Sequence, residues 1–246
     1  MLFSPLLIGN CQISNRIIVS PMCQYSANKG LMNEWHLQHL IQMGLSASGL
    51  VMLESTAVEE IGRITHHCLG LYNDDCESSI KSNLQIVKKL SNPLVKFGIQ
   101  LGHAGRKASS QKPWEGRSYL SKSEKYWETC APSEIPFDEG WHIPKQMTHS
   151  DMNRVKQSFI RAAVRAKRIG FDIIEVHGAH GYLLNQFLSP ISNTRKDNYG
   201  GCLENRMLFP LEVFEAVKKV TGKTPLGMRI TGTEWEANGF TIEDSI

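Results

Sequence analysis

The stretch Ile174–Leu188, I-E-V-H-G-A-H-G-Y-L-L-N-Q-F-L, decides the reading of this chain. A short apolar run, Phe171–Val176, has the length and β-branched content of a strand buried on both faces, and it passes directly into glycine-rich sequence. Where that strand ends, His177, His180 and Tyr182 fall within six residues and can converge on one small ligand. Imidazole N–H groups can polarise a carbonyl oxygen, and a phenol can protonate a carbon that turns basic when its neighbour is reduced. The bare H-x-x-H spacing equally suits a metal pair or two satisfied loop histidines. The surrounding sequence has to break that tie.

Outward from this stretch, short continuous apolar runs alternate with helical patterns. Ile17–Ser20, Gly49–Glu54, Val95–Gln100, Ile173–Val176 and Leu226–Ile230 read as strands of a parallel sheet covered on both faces. Helices are expected over 36–47 and 75–90. A third has Ser150 as its cap, Met152, Val155, Phe159, Ala163, Ala166 and Ile169 as its apolar stripe and Gly170 as its stop. A fourth covers roughly 204–220, with Lys218 and Lys219 in its last turn and a kink expected at Pro210. Repeated strand–helix order suggests a (β/α) barrel or a doubly wound sheet, and the lack of G-x-G-x-x-G after the first strand weakens the second option. Ser20 to Cys23, Glu54, Ser55, Gln100, His177 and Arg229 all fall at or just past strand carboxyl ends, the active face of a barrel. Residues 107–149 have no clear period and are long for a βα connection, so they read as a lid or subunit-contact insertion.

Bulk properties exclude several classes. The 246 residues are 41% hydrophobic and 21% charged, as in an ordinary globular domain. A formal charge of +3 with scattered basic residues gives no footprint for nucleic acid. No window resembles a membrane span, and Met1-Leu-Phe-Ser-Pro lacks the layout of a secretory signal, so the expected compartment is the cytoplasm. The six cysteines, Cys11, Cys23, Cys68, Cys76, Cys130 and Cys202, form no C-x-x-C, which argues against zinc ribbons and iron–sulfur clusters and for mostly free thiols.

Five blocks then point one way: R-I-I-V-S-P-M-C-Q-Y-S (16–26), G-R-I-T (62–65), G-I-Q-L-G-H-A-G-R-K (98–107), the long run from Ile174 to Gly201, and E-N-R (204–206). Together they resemble the old yellow enzymes. The S-P-M-C-x-Y form and A-P-S-E-I-P-F-D-E-G-W (131–141) resemble the bacterial xenobiotic-reductase subgroup. The resemblance implies a TIM (β/α)8 barrel with FMN at its carboxyl face, NADPH or NADH as reductant, and an activated alkene or quinone as acceptor. It further implies that His177 and His180 hold the acceptor's oxygen, that Tyr182 delivers the proton, and that Tyr25 lines the acceptor pocket. Ser20, Pro21, Met22, Cys23 and Ser55 would pack on the flavin, Gln100 would donate to its pyrimidine edge, and Arg229 would sit where reduction builds negative charge.

Only about five of the barrel's eight strands are legible in 1–246. The flavin-ring half of the site is therefore expected in this sequence, and the phosphate-binding loops that come after strands seven and eight are not. Completion by a second copy or another fragment, or a non-catalytic half-barrel module, are the readings this leaves beside the FMN oxidoreductase.

Overall fold

Strands that are apolar on successive residues can be buried only if both faces are covered, and the computed structural model, which describes residues 1–116 and 118–246, satisfies that requirement. The chain opens with a hairpin of β1 (Leu6–Ile8) and β2 (Cys11–Ile13), turning through Gly9 at φ 58° and Asn10. Next come β3 (Ile18–Val19), α1 (Glu34–Gly44), β4 (Leu50–Ala57), α2 (Asp74–Leu90) and β5 (Lys96–Gly102). A long connection carries the two-residue strands β6 (Cys130–Ala131) and β7 (Lys145–Gln146). It leads into α3 (His149–Ile169), β8 (Ile173–Gly178), the short α4 (Leu183–Leu188), α5 (Leu203–Thr221) and β9 (Leu226–Ile230).

The main sheet is wholly parallel in the order β3-β4-β5-β8-β9, the curving wall of a TIM barrel, and its strands match the five expected from sequence. Alternation along each strand sends one set of side chains outward and one inward. Outward-facing Val51, Leu53, Phe97, Ile99, Leu101, Ile174 and Val176 join one core with Ile80, Leu84, Val155, Phe159 and Val213 of the covering helices. Inward-facing Leu50, Met52 and Ile173 form a smaller core with Ile13 and the half-buried Leu6, Ile8 and Cys11. The amino-terminal hairpin thus plugs the bottom of the barrel interior. Gly9-Asn10 between Leu6-Leu7-Ile8 and Cys11-Gln12-Ile13 is its sequence signal.

One irregularity has consequences at the site. Leu53 pairs with Ile99, yet Ser55 pairs with Gln100, so Glu54 is an extra residue in β4. Such a bulge reverses the sidedness of every later residue in the strand. Without it Glu54 would face inward beside Gln100. With it Ser55 takes that place, and Glu54 turns out towards α1, where its Oε1 lies 3.4 Å from His36 Nε2.

Several local expectations need correction. Thr148, not Ser150, caps α3: its hydroxyl accepts from Asp151 N at 3.1 Å while Asp151 Oδ2 accepts from Thr148 N at 3.0 Å, a reciprocal box that satisfies two otherwise orphaned N–H groups. Glu54, Ser55, Gln100, His177 and Arg229 lie within the carboxyl-terminal halves of their strands rather than beyond them. Pro210 stands inside α5, where the sequence places it. The six cysteines are all free thiols, and no helix among the described residues is long and apolar enough to cross a membrane.

Gly170 ends α3 in the left-handed region at φ 95°, with open space where a Cβ would sit. Gly170→Ala therefore meets no clash and only the conformational penalty. Urea unfolding should show a loss of about 1–2 kcal/mol. A variant as stable as wild type would mean that α3 does not depend on this stop.

Candidate active site

Because β5, β8 and β9 are parallel and in register, residues two apart on each share the inner face. Gln100 stands opposite Glu175, and His177 opposite Arg229. Ser55 completes the row across β4, and Gly102 keeps it narrow: a Cβ there would lie 2.7 Å from Ser55 Oγ and 3.4 Å from His177 Cβ. Gln100 Nε2 donates to Glu175 Oε1 at 2.7 Å. The glutamine thus has one amide hydrogen engaged by a neighbour that carries no role in the sequence reading, and keeps its second hydrogen for a ligand. Glu175 is nonetheless findable, two residues before His177 on a strand.

The two histidines and the tyrosine do come together. The His177 ring centroid is 5.0 Å from that of His180 and 5.1 Å from that of Tyr182, both edge-on. Tyr182 reaches this place as the N-cap residue of α4, a helix too short to show a period in sequence. Ala179 N donates to His177 Nδ1 at 3.3 Å, so in the neutral ring the proton sits on Nε2 as a donor. Burial, aided by the His180 ring and the positive Arg229 and Lys107, pushes the His177 pKa down to about 3. His180 is lowered in the same sense, by burial, Arg229 and Lys107. Burial raises the Tyr182 phenol well above its ordinary value, with Cys23, Tyr25 and Cys68 adding to it. At neutral pH the site therefore presents uncharged N–H donors and a protonated phenol.

The loop after β3 brings the remaining residues to the rim. Ser20 and Met22 are exposed, and Pro21, Cys23 and Tyr25 half-buried. Gln24 anchors this loop: its N–H donates to Glu54 Oε2 at 3.1 Å, its side chain to Met22 O at 2.8 Å, and it accepts from Trp35 Nε1 at 3.0 Å. Burial raises Glu54 to about 8, opposed by the Gln24 N–H. Cys23 is held as a thiol, its pKa raised by burial and by Cys68 and Glu54. Tyr25 adopts φ 49° and meets Trp114 edge-on at 5.8 Å. Lys107, unassigned from sequence although it closes one of the quoted blocks, lies 4.9 Å above the Tyr182 ring and 4.7 Å above that of Phe137. Among the described residues, neither Lys107 nor Arg229 has a carboxylate within ion-pair reach. Among the described residues no group of three or more His, Cys, Asp or Glu side chains is placed to hold a metal ion. On the inner face Gln100 has one amide hydrogen left over and Arg229 no carboxylate partner, and the adjoining loop after β3 adds the apolar Pro21 and Met22, a set that would suit a flat ring with one polar edge.

The chain is similar to known proteins over its whole length. The profile described as "NADH:flavin oxidoreductase / NADH oxidase family" matches residues 1–246. The chain is 42% identical over 248 residues to an NADPH dehydrogenase of Geobacillus sp. (strain WCH70), covering all of this chain and 67% of that one. It is also 42% identical over 247 residues to an NADPH dehydrogenase of Listeria innocua, covering all of this chain and 68% of its relative. Among solved structures it resembles an Old Yellow Enzyme from Pichia sp. AKU4542, with TM-score 0.84, 26% identity, and coverage of 100% of this chain and 63% of that one. Morphinone reductase in complex with tetrahydroNAD gives TM-score 0.81 and 28% identity, over 99% of this chain and 67% of the other. The chain spans about two thirds of the length of the curated relatives it matches.

The depressed His177 pKa has a consequence for stability. In the unfolded chain this histidine titrates near about 6.5, and in the folded protein near 3, so unfolding takes up a proton between those values. Above about pH 6.5 the effect vanishes; below it the folded state is progressively destabilised towards pH 3. His36, lowered to about 4 by burial and by His39, acts in the same sense. His177→Gln should accordingly show a shallower loss of stability between pH 6.5 and 4 than wild type in urea unfolding. Parallel pH profiles would contradict the neutral, buried state of His177.

Proposed function

This chain belongs to the NADH:flavin oxidoreductase / NADH oxidase family, and from that premise we propose that it serves as an FMN-dependent, NADPH- or NADH-driven oxidoreductase of the ene-reductase type. Its acceptors would be activated alkenes such as α,β-unsaturated carbonyls, nitroalkenes or quinones. The observation that carries this reading is the neutral, Nε2-protonated His177 set against His180 and Tyr182 on the inner face that also bears Arg229.

When bound, FMN supplies the hydride chemistry, taking a hydride from the nicotinamide and passing it to the acceptor. The chain's own residues do the rest. Ser20, Pro21, Met22, Cys23 and Ser55 would hold the ring by packing, Gln100 by its remaining amide hydrogen, and Arg229 by charge at the edge where reduction places electrons. His177 Nε2 and an N–H of His180 would donate to the acceptor's oxygen. Because neither ring carries a charge to be dispersed, their donation strengthens chiefly as negative charge grows on that oxygen, which lowers the barrier rather than merely tightening binding. Tyr182 keeps its proton at working pH, as a general acid for carbon must. Tyr25, at the rim beside Trp114, would border the acceptor.

The first test is colour: purified protein loaded with FMN should be yellow and bleach when NADPH is added without oxygen, and protein that takes up no FMN would overturn the proposal. His177→Ala or His180→Ala should slow alkene reduction by about 10²–10³ while FMN stays bound. Release of FMN with unchanged turnover per bound flavin would contradict the assigned roles.

Tyr182→Phe separates the two halves of the cycle. Oxidation of NADPH requires no side-chain acid and should be unaffected. Alkene reduction should slow by about 10²–10⁴, and quinones should suffer less, because their oxygens can take protons from water. Stopped-flow traces in which both halves slow equally, or in which an enone is reduced at the wild-type rate, would remove Tyr182 from the proton-donor role.

A further inference from the structure

His180 sits at φ 59°, with Gly181 next to it at φ 70°. Glycine occupies the left-handed region at little cost, but a histidine there is disfavoured by about 1–2 kcal/mol unless its surroundings hold it. We propose that Lys107, Asn185 and Thr231 form a clamp that holds His180 in this conformation and so aims its imidazole at the acceptor. The clamp's purpose rests on the proposed role of His180 as a donor to the acceptor's oxygen.

Every backbone group of the turn that faces the clamp is engaged. His180 N–H donates to Thr231 Oγ1 at 3.0 Å, and His180 C=O accepts from Lys107 Nζ at 2.9 Å. Gly181 N–H donates to Asn185 Oδ1 at 2.7 Å, and the Thr231 hydroxyl donates to the same oxygen at 2.9 Å. The order is forced: Asn185 is 1% exposed, and only its oxygen can receive two donors, so its amide cannot be turned round. Its Nδ2 is buried without a protein partner. Thr231 follows directly on β9, two residues beyond Arg229, and its hydroxyl reaches the turn there. Lys107 ties the turn to the long connection through Phe137 and to Tyr182 through its ring face. The clamp thereby couples the end of β9, the loop after β5 and the start of α4 to a single peptide unit.

The test uses a pair of substitutions. Thr231→Val keeps the shape of the side chain and removes the hydroxyl; Thr231→Ser keeps the hydroxyl. Amide hydrogen exchange at His180 and Gly181, measured by NMR on the protein without added ligand, should quicken about tenfold in the valine variant and stay within about twofold of wild type in the serine variant. In FMN-loaded protein the dissociation constant of a para-substituted phenol should rise about tenfold for valine and recover for serine. Lys107→Met and Lys107→Arg give an independent pair, with loss expected for methionine and recovery for arginine. Unchanged exchange at His180 in Thr231→Val, serine behaving as badly as valine, or lost protection with unaltered phenol affinity would each overturn the clamp. If wild type bound no phenol at all, the acceptor reading would fail, and the exchange result alone would decide the clamp.

Discussion

The in-register pairing of β5, β8 and β9 is the constraint on which the rest of this structure depends. Alternation along three parallel strands leaves each residue only two directions, and register decides which residues meet. Gln100 meets Glu175, His177 meets Arg229, and Gly102 leaves the gap between them. The outward residues of the same strands are apolar and bury themselves against α2, α3 and α5. One pattern therefore both stabilises the sheet and assembles the polar face. A slip of a single residue on β8 would bury His177 among the helices and turn Val176 to the ligand.

The electrostatic character of that face depends on where the charges are allowed. Lys107 and Arg229 bring positive charge without a carboxylate partner, while His177 and His180 are kept neutral by burial and by those cations, and Tyr182 by burial. Of two nearby carboxyls, Glu54 is turned to the far side of β4 and held largely protonated, and Glu175 on the inner face is bonded to Gln100. His177, His180, Tyr182, Lys107 and Arg229 thus all offer donors here, an arrangement that under the proposed function would suit an oxygen that becomes anionic during the reaction.

How much of this can be read from sequence depends on the range of the forces involved. The five sheet strands and α3 are legible because burial on both faces writes itself into consecutive residues and a helical stripe into every third or fourth. The hairpin β1–β2 and the six-residue α4 are too short to show a period, and the cap of α3 moves from Ser150 to Thr148 because the partner that decides it, Asp151, lies three residues further on. His177, His180 and Tyr182 are legible as a local cluster within a long motif. Lys107 and Thr231 are not, since what joins them to His180 is contact across 73 and 51 positions of chain. Gln100 stands out in its motif, but its bond to Glu175 depends on register between strands that sequence does not specify.

The bulge at Glu54 bears on how this chain tolerates change. Most surface loops absorb insertions and deletions freely, and strands are commonly treated as segments whose length can drift by a residue at either end. In β4 the count itself carries information. Were β4 to pair regularly with all its residues kept, Glu54 would stand opposite Gln100 and every later residue would change sides, whereas a strand without Glu54 would keep Ser55 opposite Gln100. What the loss of Glu54 would remove is the carboxyl group to which Gln24 N–H donates. The extra residue thus lets β4 present a buried carboxyl to the loop after β3 while Ser55 keeps its inner place beside Gln100.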